Sequence, residues 1–444
     1  MNVHSSPNRD FNVVPAETEV VIVGGGIVGA CTALYLAQKS VPVVLCEKGA
    51  IGEEQSSRNW GWVRKMGRDP RELPLMIHAM KLWADLPHIV GDDLGFRTHG
   101  ITYFCDEEKD LAKYEGWMKA VADYNLDTRY VSATEIGNFA PGATRKWAGG
   151  LHTASDGFAE PHIATRLIAR GAEKLGARIV EGCAVRGFET KGGRVSEVVT
   201  EKGRVRCNSV VLAGGSWSGL FARNQGVKVP QLKLLSQVMR TRPLEGGPVG
   251  CGSGKGFGFR KRLDGGYNFS MRSAHPVDIV PDSFRYLKDY IPALRNEWRA
   301  MKFRIGRRSF QETLQAGSWK LDQRTPFEAI RILRPQPAHA ILDQAIVNIK
   351  KLFPVFADKL IVNERMGAWI DVSPDAIPTI SGVDAIPGFF VSTGYSGHGF
   401  GIAPAAGQLM AELVTGTKTV VDPTPFRHSR FIDGSQINHW PIGF

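Results

Sequence analysis

Three glycines near the N-terminus have the spacing that brings bare backbone against a phosphate group. Gly24, Gly26 and Gly29 form a GxGxxG pattern between the apolar run EVVIV and a segment with the apolar periodicity of a helix. The first glycine permits a tight turn, the second lets backbone approach a pyrophosphate, and the third lets the helix pack closely on the strand. Glu47 lies at the end of the next apolar run, VPVVLC, where a carboxylate can accept hydrogen bonds from adenosine ribose hydroxyls. These residues predict a dinucleotide site that disfavours NADP and leaves FAD and NAD open.

Two later segments favour FAD over NAD. Residues 178–215 hold four strand-like runs separated by glycine turns at 191–193 and 202–203, and they close on small residues at 213–215. This arrangement resembles the small antiparallel meander of two-domain flavoproteins, with an unrelated surface hairpin as the alternative. Near the C-terminus, Gly394, Gly397, Gly399 and Gly401 precede a helix that we expect to begin near Ala403. Bare backbone beside a helix N-terminus can hold the electron-rich edge of a flavin ring.

Three spaced motifs carry a family resemblance. GGGIVG, SPDAIPTISG and GYSGHGFGIAPAAG together resemble the FAD-dependent amino-acid oxidase family that includes D-amino acid oxidase, glycine oxidase and sarcosine oxidase. Within it, the chain is most similar to the bacterial L-amino acid deaminases, in EKGAIGEEQSSRNWGW, in SEVVTEKGRVRCNSVVLAGG and in an insertion at about 282–335. The sequence contains no counterpart of the N-terminal membrane-spanning helix of those deaminases, which puts tight membrane anchorage in doubt.

The resemblance implies an α/β fold class with two domains. The first is a discontinuous, Rossmann-like FAD-binding domain of the glutathione reductase type, expected from residues 19–64, 156–234 and 363–416. The second is an α+β substrate domain with an antiparallel sheet, expected from residues 65–155 and 235–362, with residues 1–18 as a disordered tail and 417–444 as a C-terminal tail. We expect helices such as ELPLMIHAMKLWADL on the outside of the substrate sheet, and HAILDQAIVNIKKLFPVF as a further helix of that domain.

The stretch SSRNWGWVR is expected to pass along the flavin. Ser56, Ser57 and Arg58 can bond the pyrophosphate or the ring edge, and Trp60 and Trp62 would wall the pocket with Gly61 bringing backbone close to the ring. Both tryptophans are explained equally well as core residues at the interface between the two domains. The residues predicted to bind FAD are Gly24, Gly26, Ile27, Val28, Gly29, Glu47, Lys48, Gln55, Ser56, Ser57, Arg58, Asn59, Trp60, Gly61, Trp62, Val185, Ala213, Gly214, Trp217, Gly394, Gly397, His398, Gly399 and Gly401. By the resemblance, Ala368 stands where sarcosine oxidase-like members carry a flavin-linking cysteine, so noncovalent FAD is expected.

Four residues are predicted to serve the substrate: Arg272, Gln237, His398 and Trp62. The resemblance implies that Arg272 binds the substrate carboxylate through its bidentate fork, with Arg260 across the same hairpin as the reserve, and that Gln237 is a pocket glutamine. His398 stands where the deaminases have a tryptophan that faces the substrate, so it either bonds a polar substrate or packs over the ring.

The implied reaction is oxidation of an amino acid by hydride transfer to flavin, giving an imino acid that hydrolyses to a keto acid and ammonia. Two alternatives stay open. One is an oxidase of secondary amines, such as N-methyl or opine-like amino acids, which the GHG motif permits. The other is a flavin-binding electron-transfer subunit of a complex. Oxygen or a quinone is the expected electron acceptor.

The distribution of charge limits which partners the sequence predicts. The formal net charge is +11, and residues 285–308 hold eight basic and two acidic residues with Phe284, Tyr286, Tyr290, Trp298 and Phe303 interleaved or adjacent. This pattern is typical of a solvated helix face, with peripheral membrane or partner contact as the alternative and nucleic acid not expected.

Six widely spaced cysteines without metal-ligand spacing predict buried, reduced thiols and no metal site. The chain lacks a signal peptide pattern or a long apolar stretch, so a cytoplasmic location is expected.

Overall fold

The computed structural model describes residues 13–271, 275–297, 301–315 and 317–440, with the backbone only for His275, Glu297 and Lys302. Its strands are Val20–Val23 (β1), Val43–Cys46 (β2), Trp62–Val63 (β3), Arg97–Thr98 (β4), Ile101–Cys105 (β5), Thr128–Ser132 (β6), Gly149–Thr153 (β7), Gly157–Phe158 (β8), Arg178–Val180 (β9), Val185–Lys191 (β10), Arg194–Thr200 (β11), Gly203–Arg206 (β12), Ser209–Leu212 (β13), Leu232–Thr241 (β14), Cys251–Gly254 (β15), Phe257–Lys261 (β16), Tyr267–Ser270 (β17), His275–Asp278 (β18), Met301–Arg304 (β19), Val362–Val372 (β20), Thr379–Gly382 (β21) and Phe389–Thr393 (β22). Its helices are Ile27–Gln38 (α1), Leu73–Val90 (α2), Glu108–Ala120 (α3), Pro161–Lys174 (α4), Ser218–Asn224 (α5), Pro281–Arg285 (α6), Leu287–Glu297 (α7), Arg307–Leu314 (α8), Pro326–Ala329 (α9), His339–Leu352 (α10) and Gly399–Thr415 (α11). Within the described ranges, none of these helices combines the length and the apolar character needed to cross a membrane.

A six-stranded sheet forms the first layer of the fold, in the order β21-β22-β13-β1-β2-β9. All neighbours are parallel except β21, which runs antiparallel to β22. Both faces are covered, because Val20 and Ile22 of β1 pack in one cluster with α1, α4 and α11, whereas Val21 packs in another with the strands β10 to β12. The predicted α/β fold class with a Rossmann-like domain is confirmed.

The meander between β9 and β13 has one more strand than the sequence predicts. The four expected runs between residues 178 and 215 become five strands, of which β10, β11 and β12 form a separate antiparallel sheet. The first run is divided at Gly182, whose φ of 56° lies in the left-handed region. Such a residue turns the chain out of the parallel sheet and into the meander.

An eight-stranded sheet forms the second large layer, in the order β20-β14-β17-β16-β15-β5-β7-β6. All of its pairs are antiparallel except β15 with β5. The expected helix in HAILDQAIVNIKKLFPVF is α10, and Leu342 and Ile349 pack beneath the aromatic strands of this sheet. Strand β20, from within the segment assigned to the FAD-binding domain, pairs along the whole of β14 and so belongs to this larger sheet.

Two helix expectations need correction. The sequence ELPLMIHAMKLWADL forms α2, but α2 packs against α4 and α11 beside the parallel sheet and not on the outside of the larger sheet. The Trp83 indole N–H donates to Gly401 O at 2.8 Å and fixes this contact. In addition, α11 begins at Gly399, four residues before Ala403. The amphipathic pattern specified that α2 buries one face, but not which neighbour covers it.

Candidate functional site

A cavity of about 330 Å³ lies where the two large sheets approach each other. Its walls include the carboxyl ends of β1, β2 and β13 and the middle of β14 and β20, which is the usual location of a ligand in an open parallel α/β sheet. The predicted site residues that line it are Gly24, Gly26, Ile27, Val28, Glu47, Lys48, Gln55, Ser56, Arg58, Asn59, Trp60, Trp62, Val185, Ala213, Gly214, Trp217, Gln237, Gly397, His398, Gly399 and Gly401. Gly29, Ser57, Gly61 and Gly394 lie outside this lining.

The glycine turn joins β1 to α1 at one end of the cavity. Gly24 has a φ of 110°, and a Cβ there would lie 2.5 Å from Ala213 O. A Cβ on Gly29 would lie 2.1 Å from Gly24 O, so this glycine serves helix–strand packing, as the sequence predicts, without facing the cavity. At Gly26 the nearest atom to a Cβ is Ser56 Oγ at 3.2 Å, and this hydroxyl accepts from Ile27 N at 2.9 Å. Backbone is thus exposed to the cavity at the start of α1.

The Glu47 carboxylate is fixed at the cavity edge by backbone amides. Gly25 N donates to Oε2 and Gly49 N donates to Oε1, each at 2.7 Å. Burial raises the pKa of Glu47, and these two hydrogen bonds oppose that rise. Next to it, the Lys48 ammonium donates to Glu54 Oε1 at 2.8 Å and lies 4.9 Å from the centre of the Trp217 ring. Both side chains line the cavity, and the Lys48 ammonium is held further by the carbonyl oxygens of Ile330 and Arg331.

The segment SSRNWGWVR contributes an aromatic wall. Trp60 and Trp62 meet edge to face with ring centroids 4.8 Å apart, and Trp62 lies 6.4 Å from Tyr103. The expectation for Gly61 differs from the structure, because a Cβ there would lie 2.5 Å from Ala159 O. Gly61 is therefore required by the neighbouring backbone and not by a ligand. Arg58 donates to the carbonyl oxygens of Leu333 and Gly367.

The cavity fits a flavin dinucleotide. The first turns of two helices line it, with Ile27 and Val28 from α1 and Gly399 and Gly401 from α11, so the partial positive charge of both N-termini is directed into it. Three buried polar atoms of the lining have no hydrogen-bond partner within the described part of the chain: Trp62 Nε1, Ser216 Oγ and Gln237 Oε1. Buried polar atoms are almost always paired, so these three await a ligand or water.

A cluster of charged side chains closes the other end of the cavity. Arg68 Nη1 lies 3.5 Å from Glu72 Oε2, and both side chains are almost completely buried. His398 Nδ1 lies 3.5 Å from the same Glu72 oxygen, and Arg64 Nη2 lies 3.4 Å from His398 Nε2. Arg64, Arg68, Tyr103 and His398 all line the cavity. We call these residues with Glu72 the cationic cluster.

Residues of the cationic cluster shift one another's pKa values. Burial and the neighbouring charge of Arg68 lower the pKa of His398 to about 4, against the opposing effect of Glu72. Burial alone would raise the pKa of Glu72, but the hydrogen bond from His398 and the charge of Arg68 hold it below its usual range. Burial also lowers the pKa of Arg68 to about 10. At neutral pH the imidazole is therefore neutral, while Glu72 and Arg68 are charged.

Two arginines were predicted as the cation that binds the substrate carboxylate. Arg272 lies outside the described residues, although its neighbour Met271 lines the cavity. Arg260 is unsuited to its reserve role, because it is fully buried and pairs with Glu160 at 2.9 and 3.1 Å away from the cavity lining. Arg64 and Arg68 were missed by the sequence analysis. Their signal was the spacing of Arg64, Arg68 and Glu72 at intervals of four residues just after the tryptophan pair.

All six cysteines are buried free thiols, as the sequence predicts. Cys46 and Cys183 border the cavity from the parallel sheet and its following loop, whereas Ala368 borders it from β20 of the larger sheet.

Known proteins with this architecture identify the family. The chain is similar to L-amino acid deaminase from Proteus myxofaciens in complex with anthranilate, with 36% identity, 94% of each chain covered and a TM-score of 0.90. For L-amino acid deaminase from Proteus vulgaris the identity is 32% and the TM-score 0.89, covering 94% of this chain and 97% of the other. Among curated proteins, sarcosine oxidase subunit beta from Arthrobacter sp is 23% identical over 428 residues, which is 95% of this chain and 92% of that protein. The model of the FAD dependent oxidoreductase family matches residues 19–413. The predicted family is therefore confirmed, and the chain belongs to the FAD-dependent oxidoreductase family, as an oxidoreductase of its amino acid oxidase and deaminase group.

Proposed function

We propose that the protein oxidises the carbon–nitrogen bond of an L-amino acid with FAD, giving an imino acid that water hydrolyses to a keto acid and ammonia. The observation that carries the proposal is one cavity that extends from the glycine turn to a chamber walled by Trp62, Tyr103, Gln237 and His398. The L configuration is supported by the 36% identity to the Proteus myxofaciens enzyme over 94% of the chain.

The residues at the glycine turn would hold the cofactor. Backbone at Gly24 and Gly26 and the start of α1 would bind the pyrophosphate, and Glu47 would accept from the ribose hydroxyls. The first turn of α11 would direct its N–H groups at the ring. Bound FAD would supply the acceptor for the hydride, which carries the two electrons removed from the substrate.

The chamber residues would orient the substrate and exclude water. Trp60, Trp62 and Tyr103 form an apolar wall, which restricts the position of the amino acid's reacting carbon and keeps bulk water away. Gln237 is buried with its Oε1 atom unpaired within the described residues, so it can accept from a substrate ammonium or amine. By the resemblance to the deaminases, Arg272 would bind the α-carboxylate.

An anaerobic screen of flavin reduction tests this function. Purified holoenzyme is mixed with each enantiomer of the twenty amino acids and with their N-methyl derivatives, and loss of the flavin absorbance is recorded. We expect L-amino acids to reduce the flavin and a stoichiometric keto acid to form on reoxidation. Absence of bleaching by every compound would overturn the proposal. Repeating the turnover with oxygen and with a soluble quinone analogue identifies the electron acceptor.

A second candidate is the oxidation of secondary amines. It is favoured by the Gly397-His398-Gly399 sequence at the start of α11 and by the similarity to sarcosine oxidase subunit beta. Reduction of the flavin by N-methyl amino acids, but not by the primary amino acids in the same screen, would establish this candidate in place of the first.

We propose that FAD is held without a covalent bond. Ala368 borders the cavity on β20 and offers no nucleophile. Acid precipitation of the holoenzyme is expected to leave the protein colourless and release all of the flavin into the supernatant. Flavin fluorescence retained on the denatured chain would contradict this.

We also propose that the insertion rests on an anionic membrane surface. Phe284, Ile305 and Leu314 are 72%, 72% and 86% exposed, although they are large apolar residues. Exposed basic residues accompany them in the same insertion: Arg285, Lys288, Arg295, Arg304 and Arg307. Apolar side chains among cations match the boundary of a bilayer that carries negative headgroups.

Vesicle co-sedimentation tests the membrane contact. The wild type is expected to bind vesicles of phosphatidylglycerol and phosphatidylcholine more strongly than phosphatidylcholine alone, and Leu314→Glu should weaken that binding. Ile432→Glu is the matched control, because Ile432 is 59% exposed but lies outside the insertion. Equal sedimentation of the wild type with both vesicle types, or equal loss in both variants, would contradict the proposal.

A further inference from the structure

Arg64 is the starting point, because its guanidinium interacts with the nearby carboxylates of Glu72 and Asp156 only through space and not directly. It lines the cavity and makes no salt bridge within the described ranges. Its guanidinium donates to Met66 O and to His398 Nε2. A Cβ on Gly67 would lie 3.3 Å from Arg64 Nη1 and 3.3 Å from Tyr103 Cε2, so the guanidinium and the Tyr103 ring share one wall.

The hydrogen-bond chain fixes both the orientation and the tautomer of His398. A guanidinium can only donate, so His398 Nε2 must be the acceptor for Arg64 at 3.4 Å. The imidazole proton then resides on Nδ1, which faces Glu72 Oε2 at 3.5 Å. Glu72 is held in turn by Arg68, whose Nη2 also donates to His398 O at 3.1 Å. Arg68, Glu72 and His398 are thus positioning residues for Arg64.

The charges of the cationic cluster do not cancel. Arg68 and Glu72 form a pair, His398 is neutral, and Arg64 leaves one positive charge on the cavity wall. The nearby Asp156 carboxylate accepts from Lys65 N and Met66 N at 2.7 and 3.1 Å and is not within salt-bridge distance of Arg64. A buried or half-buried cation facing a cavity is strongly stabilised by an anionic ligand that accepts its hydrogen bonds.

We propose that Arg64 binds a second carboxylate, at the side-chain end of the substrate, so that the enzyme prefers an acidic amino acid over one with a bulky apolar side chain. This inference rests on the proposed amino-acid oxidation. The bidentate geometry of a guanidinium suits a carboxylate, and Tyr103 beside it offers a hydroxyl at the same wall. The resemblance to the deaminases assigns the α-carboxylate to Arg272, which lies outside the described residues, and this leaves Arg64 for the other end of a dicarboxylic substrate.

Ligand binding without turnover is the first test. Glutarate and hexanoate are titrated into the holoenzyme, and the change in the flavin absorbance spectrum gives each Kd. We expect glutarate to bind the wild type more tightly than hexanoate, and Arg64→Gln to weaken glutarate about 10- to 100-fold while changing hexanoate by less than about 3-fold. Arg129→Gln is the matched control, because Arg129 is exposed and paired with Glu135 at the surface.

Flavin reduction is the second test. Anaerobic stopped-flow rates with L-glutamate, L-glutamine and L-leucine should favour glutamate in the wild type, and Arg64→Gln should reduce that preference by a similar factor. An equal loss for all three substrates in this variant would assign Arg64 to the α-carboxylate and overturn the proposal. Preference for leucine in the wild type would also overturn it. If no amino acid reduces the flavin, the proposed amino-acid oxidation is rejected. The glutarate titration would still test whether Arg64 binds a carboxylate, because it does not require turnover.

The positioning residues are tested by rescue. His398→Gln keeps an acceptor within reach of Arg64, whereas His398→Leu removes it. We expect glutarate binding to be weakened in the leucine variant and largely retained in the glutamine variant. Equal Kd values for glutarate in these two variants would contradict the positioning role.

Discussion

His398 Nδ1 lies 3.5 Å from Glu72 Oε2, and this contact joins the N-caps of two helices. Glu72 precedes α2 and His398 precedes α11. A carboxylate at this position is favoured by the partial positive charge of both helix N-termini. The pair therefore connects the segment after the tryptophan wall with the glycine-rich segment at 394–401.

Glu72→Gln should destabilise the fold strongly. The variant leaves the buried Arg68 guanidinium without a counter-charge, and removing one partner of a buried pair costs about 3–5 kcal/mol. Urea unfolding followed by tryptophan fluorescence measures the loss. Glu135→Gln is the control, because its pair with Arg129 is exposed and should contribute at most about 1 kcal/mol. Similar losses in the two variants would show that the Arg68 charge is satisfied in another way.

The stability of the wild type should decrease relative to His398→Gln as the pH falls from 6.5 towards 4. The pKa of His398 is lowered from 6.5 to about 4, so within this window the unfolded chain binds a proton that the folded chain does not. Unfolding is then favoured by acid, with a limit of about 3 kcal/mol over the window. Asp156 acts in the opposite direction, because burial raises its pKa to about 6. Taking the difference between the two proteins removes that contribution, and parallel stability curves would exclude the His398 effect.

Gly29→Ala should prevent both close packing and cofactor retention. The added Cβ would lie 2.1 Å from Gly24 O, which forces α1 away from β1 at the glycine turn. We expect a lower melting temperature and loss of bound FAD on gel filtration. Gly116→Ala is the control: it lies in α3 with no atom within 4 Å of the new Cβ, so it should stabilise the protein by up to about 1 kcal/mol. FAD retained at the wild-type level in Gly29→Ala would refute the assigned role of the turn.

Glu47→Gln should weaken FAD binding by about tenfold or more, because an amide offers only one acceptor oxygen in place of two. One of the amides of Gly25 and Gly49 then faces an NH2 group, and the turn loses a hydrogen bond of 2.7 Å. The Kd of FAD for the apoprotein, from quenching of flavin fluorescence, measures the effect. Glu189→Gln on the exposed meander should leave the Kd unchanged.

Local patterns were sufficient for the glycine turn and the elements beside it. The strand, turn and helix around Gly24 to Gly29 were predictable because each glycine role is set by neighbours close in sequence. The start of α11 at Gly399 was not, because glycine favours a loop on its own and only the packing of this segment against Trp62 and Trp83 makes it helical. The same reason explains α2, whose apolar face was identified but whose partner helices, α4 and α11, both lie more than 60 residues further along the chain.

The cationic cluster was the main omission at the site. RKMGRDPRE has the composition of a solvated loop, and charged residues are rarely fully buried unless they are paired. Arg68 is buried because it pairs with Glu72 four residues later, but only the fold brings His398 to Glu72 across more than 300 residues and so completes the cluster. The cavity-lining glycines were predicted because their motifs are contiguous in sequence, and Gln237 because of the resemblance to the deaminases, whereas the role of Arg64 depends on a contact that no short segment contains.

The cavity wall includes Gly24, which directly follows the first strand, and Gly401 of the last helix. A ribosome must therefore release nearly the whole polypeptide before the chamber exists, and flavin capture follows translation rather than accompanying it. Until then, the face of α1 that α11 covers is exposed to solvent. That face includes the backbone at Cys31, which is so close to α11 that a Cβ built on Gly407 would lie within 3 Å of it.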